Sequence, residues 1–214
     1  AEIRNAYDAI TYSKSLGVIH MIDRYFGSDV FRPALGRYIE SFSDGVADST
    51  DFYQVTSKET KSMALAETFR GFVEQTGVPL LEVDLSCELG GKPSITIGQS
   101  RYKAFGSPTE DTDKLWNIPI CLRSNNASQC AMVTEPRQTL QLSDAECPQW
   151  VLPNAGGSGY YRWTLDEASW AALIDDFEKL SPVETLSAID SAFPAFEAGK
   201  LDEANLLNVV AASS

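Results

Sequence analysis

The spacing of apolar residues changes twice along this chain of 214 residues, and that change constrains the fold more than any single motif. Over residues 5–75 apolar side chains recur with the period of an amphipathic helix. Strict alternation, typical of half-buried strands, takes over at Val78, and helical spacing returns at Asp166. The sequence therefore predicts an α+β fold with several domains, in which strands lie between two helical parts.

Glycine, proline and capping residues divide the first helical part. Gly27 is predicted to end one helix, and Ser28-Asp29 to cap the next. A later helix is predicted over residues 62–74, where Gly77 and Pro79 then prevent its continuation. The first part is therefore predicted to be a set of short amphipathic helices.

The middle of the chain has the pattern of short strands joined by turns. Residues 81–85 and 94–97 alternate on either side of Gly90-Gly91-Lys92-Pro93, which indicates a hairpin. A second hairpin is predicted around Gly156-Gly157. Further strands are predicted at 116–122, 131–133, 137–142, 150–154 and 159–163. Short strands at such intervals favour an antiparallel β-sandwich.

Helix signals are strong in the last part of the chain. Asp166 and Asp202 precede apolar periodic runs. Ser181 and Glu184 have the spacing of a capping box, with Pro182 at the first helical position. Three helices are therefore predicted after the strands.

Charge and hydropathy exclude two classes of partner. The formal net charge is -13, from 30 acidic and 17 basic residues, so clustered cations for nucleic-acid phosphates are lacking. No run of about 18 apolar residues occurs, so no membrane span is predicted.

The four cysteines leave two alternatives open. They are Cys87, Cys121, Cys130 and Cys147, with no closely spaced pair for a zinc site and only His20 as a histidine. They form either two disulfides or four buried thiols. Cys121 and Cys130 flank a predicted hairpin tip, where a disulfide between them would close a small loop. The tip also carries the glycosylation sequon Asn126-Ala127-Ser128. Disulfides would indicate an oxidising compartment, periplasmic or secreted.

Taken alone, these residues do not form an active site. His20 shares a predicted helix with Leu16 and Ile19, which favours a packed or surface role. No glycine-rich phosphate loop is present, and the aromatic segment 160–163 is predicted to be core.

An ordered set of segments nevertheless carries a resemblance to a known family. The segments are Ala9–Lys14, Val18–Ile22, Phe31–Tyr38, Thr50–Phe52, Phe72–Pro79, Gly159–Arg162 and Leu180–Gly199. Together they resemble the gluzincin aminopeptidases, a zinc-dependent family that includes the puromycin-sensitive and alanyl aminopeptidases. The resemblance spans nearly the whole chain. It implies that residues 1–77 are the helical C-terminal part of a thermolysin-like catalytic domain, 78–165 an antiparallel β-sandwich domain, and 166–214 the first helices of a C-terminal α-helical domain.

The resemblance implies a catalytic role for Tyr12. The matching tyrosine of the family donates a hydrogen bond to the oxyanion of the tetrahedral intermediate. Lys14 also matches the motif, and a structural contact is the default expectation for it. The chain departs from the family at Ser15-Leu16, where Gly-Ala is usual, and the bulk of Leu16 is expected to change pocket shape.

The zinc-binding HExxH motif does not occur in these residues and is expected to precede them in a longer parent protein. The parent is expected to bind zinc, to remove N-terminal residues from peptides, and to contact this chain through its remaining domains. The chain alone is predicted to bind no catalytic zinc and to cleave nothing. The alternative is a non-catalytic scaffold or binding module related to the family.

Overall fold

A computed structural model describes residues 10–87, 92–108 and 114–213. The described chain falls into two compact units. The first runs up to Thr76 and includes Trp116–Pro119 and Ser158–Tyr160, while the second holds most of the remainder. The division into domains at 77/78 and 165/166 stays a prediction. The predicted turn at Gly90-Gly91 falls on residues outside the described ranges.

The first unit is helical, as the apolar periodicity predicts. In the described part of this unit, a π-helical turn, Ile10–Lys14, leads into the first of four α-helices. The helices are α1 (Ser15–Phe26), α2 (Ser28–Ser41), α3 (Ser49–Thr60) and α4 (Met63–Glu74). Their apolar stripes form the core, whose most buried members include Ile22, Phe31, Ala34, Leu65 and Phe72.

Gly27 separates α1 from α2 as predicted, but the predicted cap of α2 is wrong. Gly27 has a φ of 86°, a conformation that glycine adopts easily, and its N–H donates to the Asp23 carbonyl to close α1. Ser28 is already helical, and its hydroxyl donates to the Asp23 carboxylate at 2.8 Å. The N-cap is therefore Gly27, which has no side chain to accept a bond.

Within the described residues, seven strands form two sheets. They are β1 (Pro79–Ser86), β2 (Ser94–Arg101), β3 (Ile118–Ser124), β4 (Ser128–Val133), β5 (Arg137–Gln141), β6 (Val151–Leu152) and β7 (Arg162–Leu165). One sheet has the order β5-β2-β1-β7 and the other β4-β3-β6. The antiparallel β1–β2 pair, with Val83 opposite Ile97, confirms the first predicted hairpin. The pairing of β3 with β4 is also confirmed.

The two sheets correct the prediction of a wholly antiparallel sandwich. β7 pairs with β1 in parallel, with Leu81 opposite Trp163. The hairpin predicted at Gly156-Gly157 is also wrong, because β6 pairs with β3 and β7 belongs to the other sheet. Both glycines have positive φ values, 65° and 60°, and they turn the chain from one sheet to the other. The long connection between β1 and β7 makes the parallel pair possible.

Three helices follow the strands, as predicted. They are α5 (Glu167–Asp175), α6 (Pro182–Glu197) and α7 (Glu203–Ala212). Asp166 and Asp202 cap α5 and α7 through their carboxylates. Ser181 and Glu184 form the predicted capping box of α6, with Pro182 at its start.

All four cysteines are paired, so the alternative of four free thiols is wrong. The disulfides are Cys87–Cys147 and Cys121–Cys130. Tyr161 and Trp163 are buried, as predicted for core aromatics, and Trp163 stacks on Trp170 at 5.0 Å between ring centroids. Within the described ranges, every helix is too short or too polar to cross a membrane.

Candidate functional site

Tyr12 lies on the π-helical turn that precedes α1. This turn, Ile10–Lys14, has the wider backbone pairing that interrupts regular helices and often occurs at functional sites. The Tyr12 side chain is 59% exposed, so a molecule in solution can reach it. The helical periodicity of the sequence predicts a regular helix here and contains no signal for the π-turn.

Lys14 holds the end of this turn against α4. Its ammonium donates to the backbone carbonyl of Gln75 at 3.4 Å, across 61 positions of sequence. Gln75 is the C-cap of α4, at the end of the helix that carries partial negative charge. Partial burial lowers the pKa of Lys14 from its ordinary value. The structural contact expected for Lys14 is therefore present, and it fastens the turn that carries Tyr12.

A close contact forms one turn further along α1, at Gly17. A Cβ atom at Gly17 would lie 2.6 Å from Cδ2 of Tyr160, so only glycine lets the ring lie against the helix. The Tyr160 N–H also donates to the sulfur of Met21, and its ring meets Phe72 edge-on at 6.1 Å. Leu16, by contrast, is 70% exposed. The small residue that permits close packing is therefore Gly17.

The role of Gly17 was not recognised in the sequence, although a signal was present. A glycine inside an amphipathic helical pattern lowers helix stability and usually has a packing reason. The partner, Tyr160, lies 143 positions away, so only the folded structure shows what that reason is.

The first unit also contains a cavity of about 310 Å³ among its helices. Its walls are mainly apolar and include Val18, Phe52, Tyr53 and Phe69, with Asp48 among the polar members. Burial raises the pKa of Tyr53. Tyr12 is not among the lining residues, so the structure does not bring it to this cavity.

The described residues do not fit a zinc site. Within them there is no group of three or more His, Cys, Asp or Glu side chains that could hold a metal ion. His20 is exposed on the surface of α1, and all four cysteines are held in disulfides. No catalytic step is therefore assigned to a metal held by these residues.

Two models of known protein families match parts of the chain. A family model described as the peptidase family M1 domain matches residues 1–74, and one described as the ERAP1-like C-terminal domain matches residues 150–214. In these two segments the chain is similar to peptidases of the M1 family. Strands β1 to β5 lie between the two matches, β6 and β7 lie within the second, and the M1 match includes Tyr12, Lys14 and Gly17.

M1 relatives align with most of the chain at low identity. A probable M1 family aminopeptidase 1 of Encephalitozoon cuniculi is 28% identical over 90% of this chain and 21% of its own length. The puromycin-sensitive aminopeptidase of Caenorhabditis elegans is 24% identical over 100% and 23%. Aminopeptidase M1-A of Oryza sativa subsp. japonica is 27% identical over 99% and 24%. The chain thus spans about a fifth to a quarter of the length of these M1 relatives.

Proposed function

We propose that this chain is part of a zinc-dependent aminopeptidase that removes N-terminal residues from peptides, and that Tyr12 stabilises the oxyanion in that reaction. The observation that carries the proposal is the match to M1 aminopeptidases over 90% to 100% of the chain. The exposed position of Tyr12 on a π-helical turn supports its role, because a donor must reach a substrate from outside the core.

The chemistry asked of Tyr12 is the stabilisation of negative charge. Attack on a peptide carbonyl places charge on its oxygen, and a phenol O–H is a neutral donor that can be aimed at that oxygen. One such donor commonly lowers the barrier by about 2.7–4 kcal/mol, or two to three orders of magnitude in rate. The Lys14 contact with Gln75 supports this role, since a catalytic donor must be held in place.

The chain alone is proposed to be inactive. Zinc would be held in the parent protein by residues other than those described here, in keeping with the lack of a fitting donor group among them. The parent is proposed to be exported, periplasmic or secreted, because two disulfides persist best in an oxidising compartment. One relative carries the name aminopeptidase 2, mitochondrial, so the family includes other compartments.

The second candidate is a non-catalytic scaffold or binding module related to the family. Such a module would have the same fold as the corresponding part of the peptidase. The observation in its favour is the lack of a zinc donor group among the described residues. The two candidates differ in what the full-length gene encodes and in what Tyr12 does there.

The test is turnover of an aminoacyl chromogenic substrate by the full-length parent protein and by this chain. We expect the parent to be active, the chain to be inactive, and Tyr12→Phe in the parent to reduce kcat by about two to three orders of magnitude. Tyr25→Phe is the matched control, because it removes the same hydroxyl from a partly buried residue on α1 whose ring packs on Phe26. Its kcat should stay close to that of the wild type.

The outcomes separate the candidates. An inactive full-length protein would favour the scaffold. An active parent in which Tyr12→Phe has no more effect than Tyr25→Phe would keep the peptidase and remove Tyr12 from its mechanism. Turnover by the chain alone would show that these residues suffice for catalysis, against the proposal.

A further inference from the structure

The sequence contains a single Asn-x-Ser/Thr sequon in which x is not proline, Asn126-Ala127-Ser128. The structure places it at the connection between β3 and β4. Asn126 and Ser128 are both exposed. The aminopeptidase proposal makes no use of this segment.

The tip of this hairpin is firmly held. The Ser124 hydroxyl oxygen accepts from the backbone N–H groups of Asn126 at 3.0 Å and Ala127 at 2.9 Å. The same hydroxyl donates to the Asp144 carboxylate at 2.6 Å. The Cys121–Cys130 disulfide closes the two strands below the tip. The position of the sequon is therefore set by the fold.

The polar side chains beside the sequon are already engaged. The Asn125 side-chain oxygen accepts from the backbone of Gln149 at 2.8 Å. The Gln129 amide accepts from Ser143 at 2.6 Å and donates to the carbonyl of Gln141 at 3.0 Å. These neighbours brace the hairpin against the chain that follows it.

The two groups that sequon chemistry needs are left available. Asn126 uses its side-chain oxygen, which accepts from Asn125 at 2.8 Å. Within the described part of the chain, neither the Asn126 amide nitrogen nor the Ser128 hydroxyl makes a hydrogen bond. The side-chain polar groups of Asn125 and Gln129 are used by the fold, whereas these two are not. They are the nitrogen that would receive the sugar and the hydroxyl that the sequon requires.

We propose that Asn126 is an N-glycosylation site. The side-chain nitrogen of Asn126 forms a bond to C1 of the first sugar of an oligosaccharide carried on a lipid diphosphate. The bond between that C1 and the diphosphate oxygen breaks, the amide loses one proton, and the lipid diphosphate leaves. The two disulfides fit this assignment, because disulfide formation and sequon modification both belong to the export route of a protein.

The test expresses the 214-residue chain behind a cleavable secretory leader in a eukaryotic host. Total extracts and medium are treated with or without a peptide N-glycosidase and analysed by gel migration and mass spectrometry. We expect one glycan, removed by the enzyme with conversion of Asn126 to aspartate. Asn126→Gln and Ser128→Ala should each lose it, while Ser128→Thr, the matched control, should keep it.

Each outcome bears on the proposal. A wild-type chain without a glycan, in cells that glycosylate a co-expressed secreted protein, would overturn it. A glycan that persists on both Asn126→Gln and Ser128→Ala would overturn it as well. Reading total extracts keeps the test valid for variants that are poorly secreted, since the glycan is added before secretion is complete. The result is independent of peptidase activity.

Discussion

Tyr12 shows how a single residue can be identified without its conformation being predictable. Its candidate role came from a resemblance of ordered motifs, since the residues alone indicate only an aromatic side chain at the start of a helix. The π-turn around it is accompanied by a contact between Lys14 and Gln75, which are 61 positions apart. The local spacing of apolar residues does not reveal a contact between residues so far apart in sequence. The geometry of the candidate site could therefore be seen only in the folded structure.

Gly17 provides a test of the packing beside this turn. In Gly17→Ala the new methyl group would meet the Tyr160 ring at 2.6 Å, so the ring must move. Overpacking of this kind costs about 1–3 kcal/mol, and the better helix propensity of alanine offsets up to about 1 kcal/mol of it. We expect a net loss of stability, measured by thermal unfolding with far-UV circular dichroism.

Gly36→Ala in α2 is the matched control for Gly17→Ala. A Cβ atom at Gly36 would meet no atom within 4 Å, so only the propensity effect remains and the variant should be stabilised by up to about 1 kcal/mol. Opposite signs for the two glycines would support the close contact with Tyr160. Stabilisation by both alanines would show that this ring is not held against α1.

At the scale of elements, the parts that were predicted are those whose cause is local. Gly27 and the Ser181 capping box lie within a few residues of the helix ends that they determine. The partner of β7 could not be predicted in this way, because a strand carries no signal that distinguishes β1 from a hairpin neighbour. Gly156-Gly157 correctly marked a turn, but a turn alone does not specify which sheet the chain enters next.

Glu184 connects the capping box of α6 to β3, and this role was not anticipated. Its side chain is 6% exposed and accepts two hydrogen bonds from Arg123, each at 2.9 Å. It also accepts from the backbone N–H of Gly156 at 3.1 Å and of Ser181 at 3.0 Å. Burial raises the pKa of Glu184, but these donors outweigh burial, and the pKa lies below its ordinary value of 4.5.

This lowered pKa predicts a pH-dependent contribution to stability. A carboxyl whose pKa is lower in the folded state stabilises fully above its unfolded pKa of 4.5, and the contribution is lost as pH falls through the folded pKa. Glu184→Gln should cost about 1.5–3 kcal/mol at neutral pH, because hydrogen bonds to a charged group are lost. The difference in the free energy of unfolding between Glu184→Gln and the wild type should become smaller as pH falls below 4.5.

The measurement is urea unfolding from neutral pH to pH values below 4.5, followed by tryptophan fluorescence. Asp84→Asn is the control, since it makes the same acid-to-amide change in an exposed pair with Arg137. Exposed pairs contribute about 0–1 kcal/mol, so this variant should follow the wild-type pH profile. If the difference in the free energy of unfolding between wild type and Glu184→Gln stays constant with pH, the stabilising role assigned to the charged Glu184 carboxylate is wrong.

For the whole molecule, the two disulfides constrain different lengths of chain. Cys121 and Cys130 are 9 positions apart and staple one hairpin, which is why their pairing could be suggested from the sequence. Cys87 and Cys147 are 60 positions apart, and between them run β2 to β5. The pairing of Cys87 with Cys147 could be recognised only in the folded structure, because sequence spacing does not show which distant cysteines lie close together.

The difference in loop length predicts unequal effects when the disulfides are removed singly. A cross-link acts mainly by limiting the unfolded chain, by about 4 kcal/mol for a loop of about 60 residues and about 2.6 kcal/mol for one of about 9. Cys87→Ser/Cys147→Ser should therefore lower the free energy of unfolding more than Cys121→Ser/Cys130→Ser, by between 1 and 2 kcal/mol on the same scale. Urea unfolding followed by tryptophan fluorescence measures both losses of free energy, since Trp150, Trp163 and Trp170 lie in the same compact unit as the disulfides.

Equal losses of free energy, or a larger loss from the hairpin pair, would contradict this order. Native contacts around Cys121–Cys130 would then outweigh the entropy of the unfolded chain. The Ser124–Asp144 hydrogen bond at the hairpin tip would be the first of those contacts to remove.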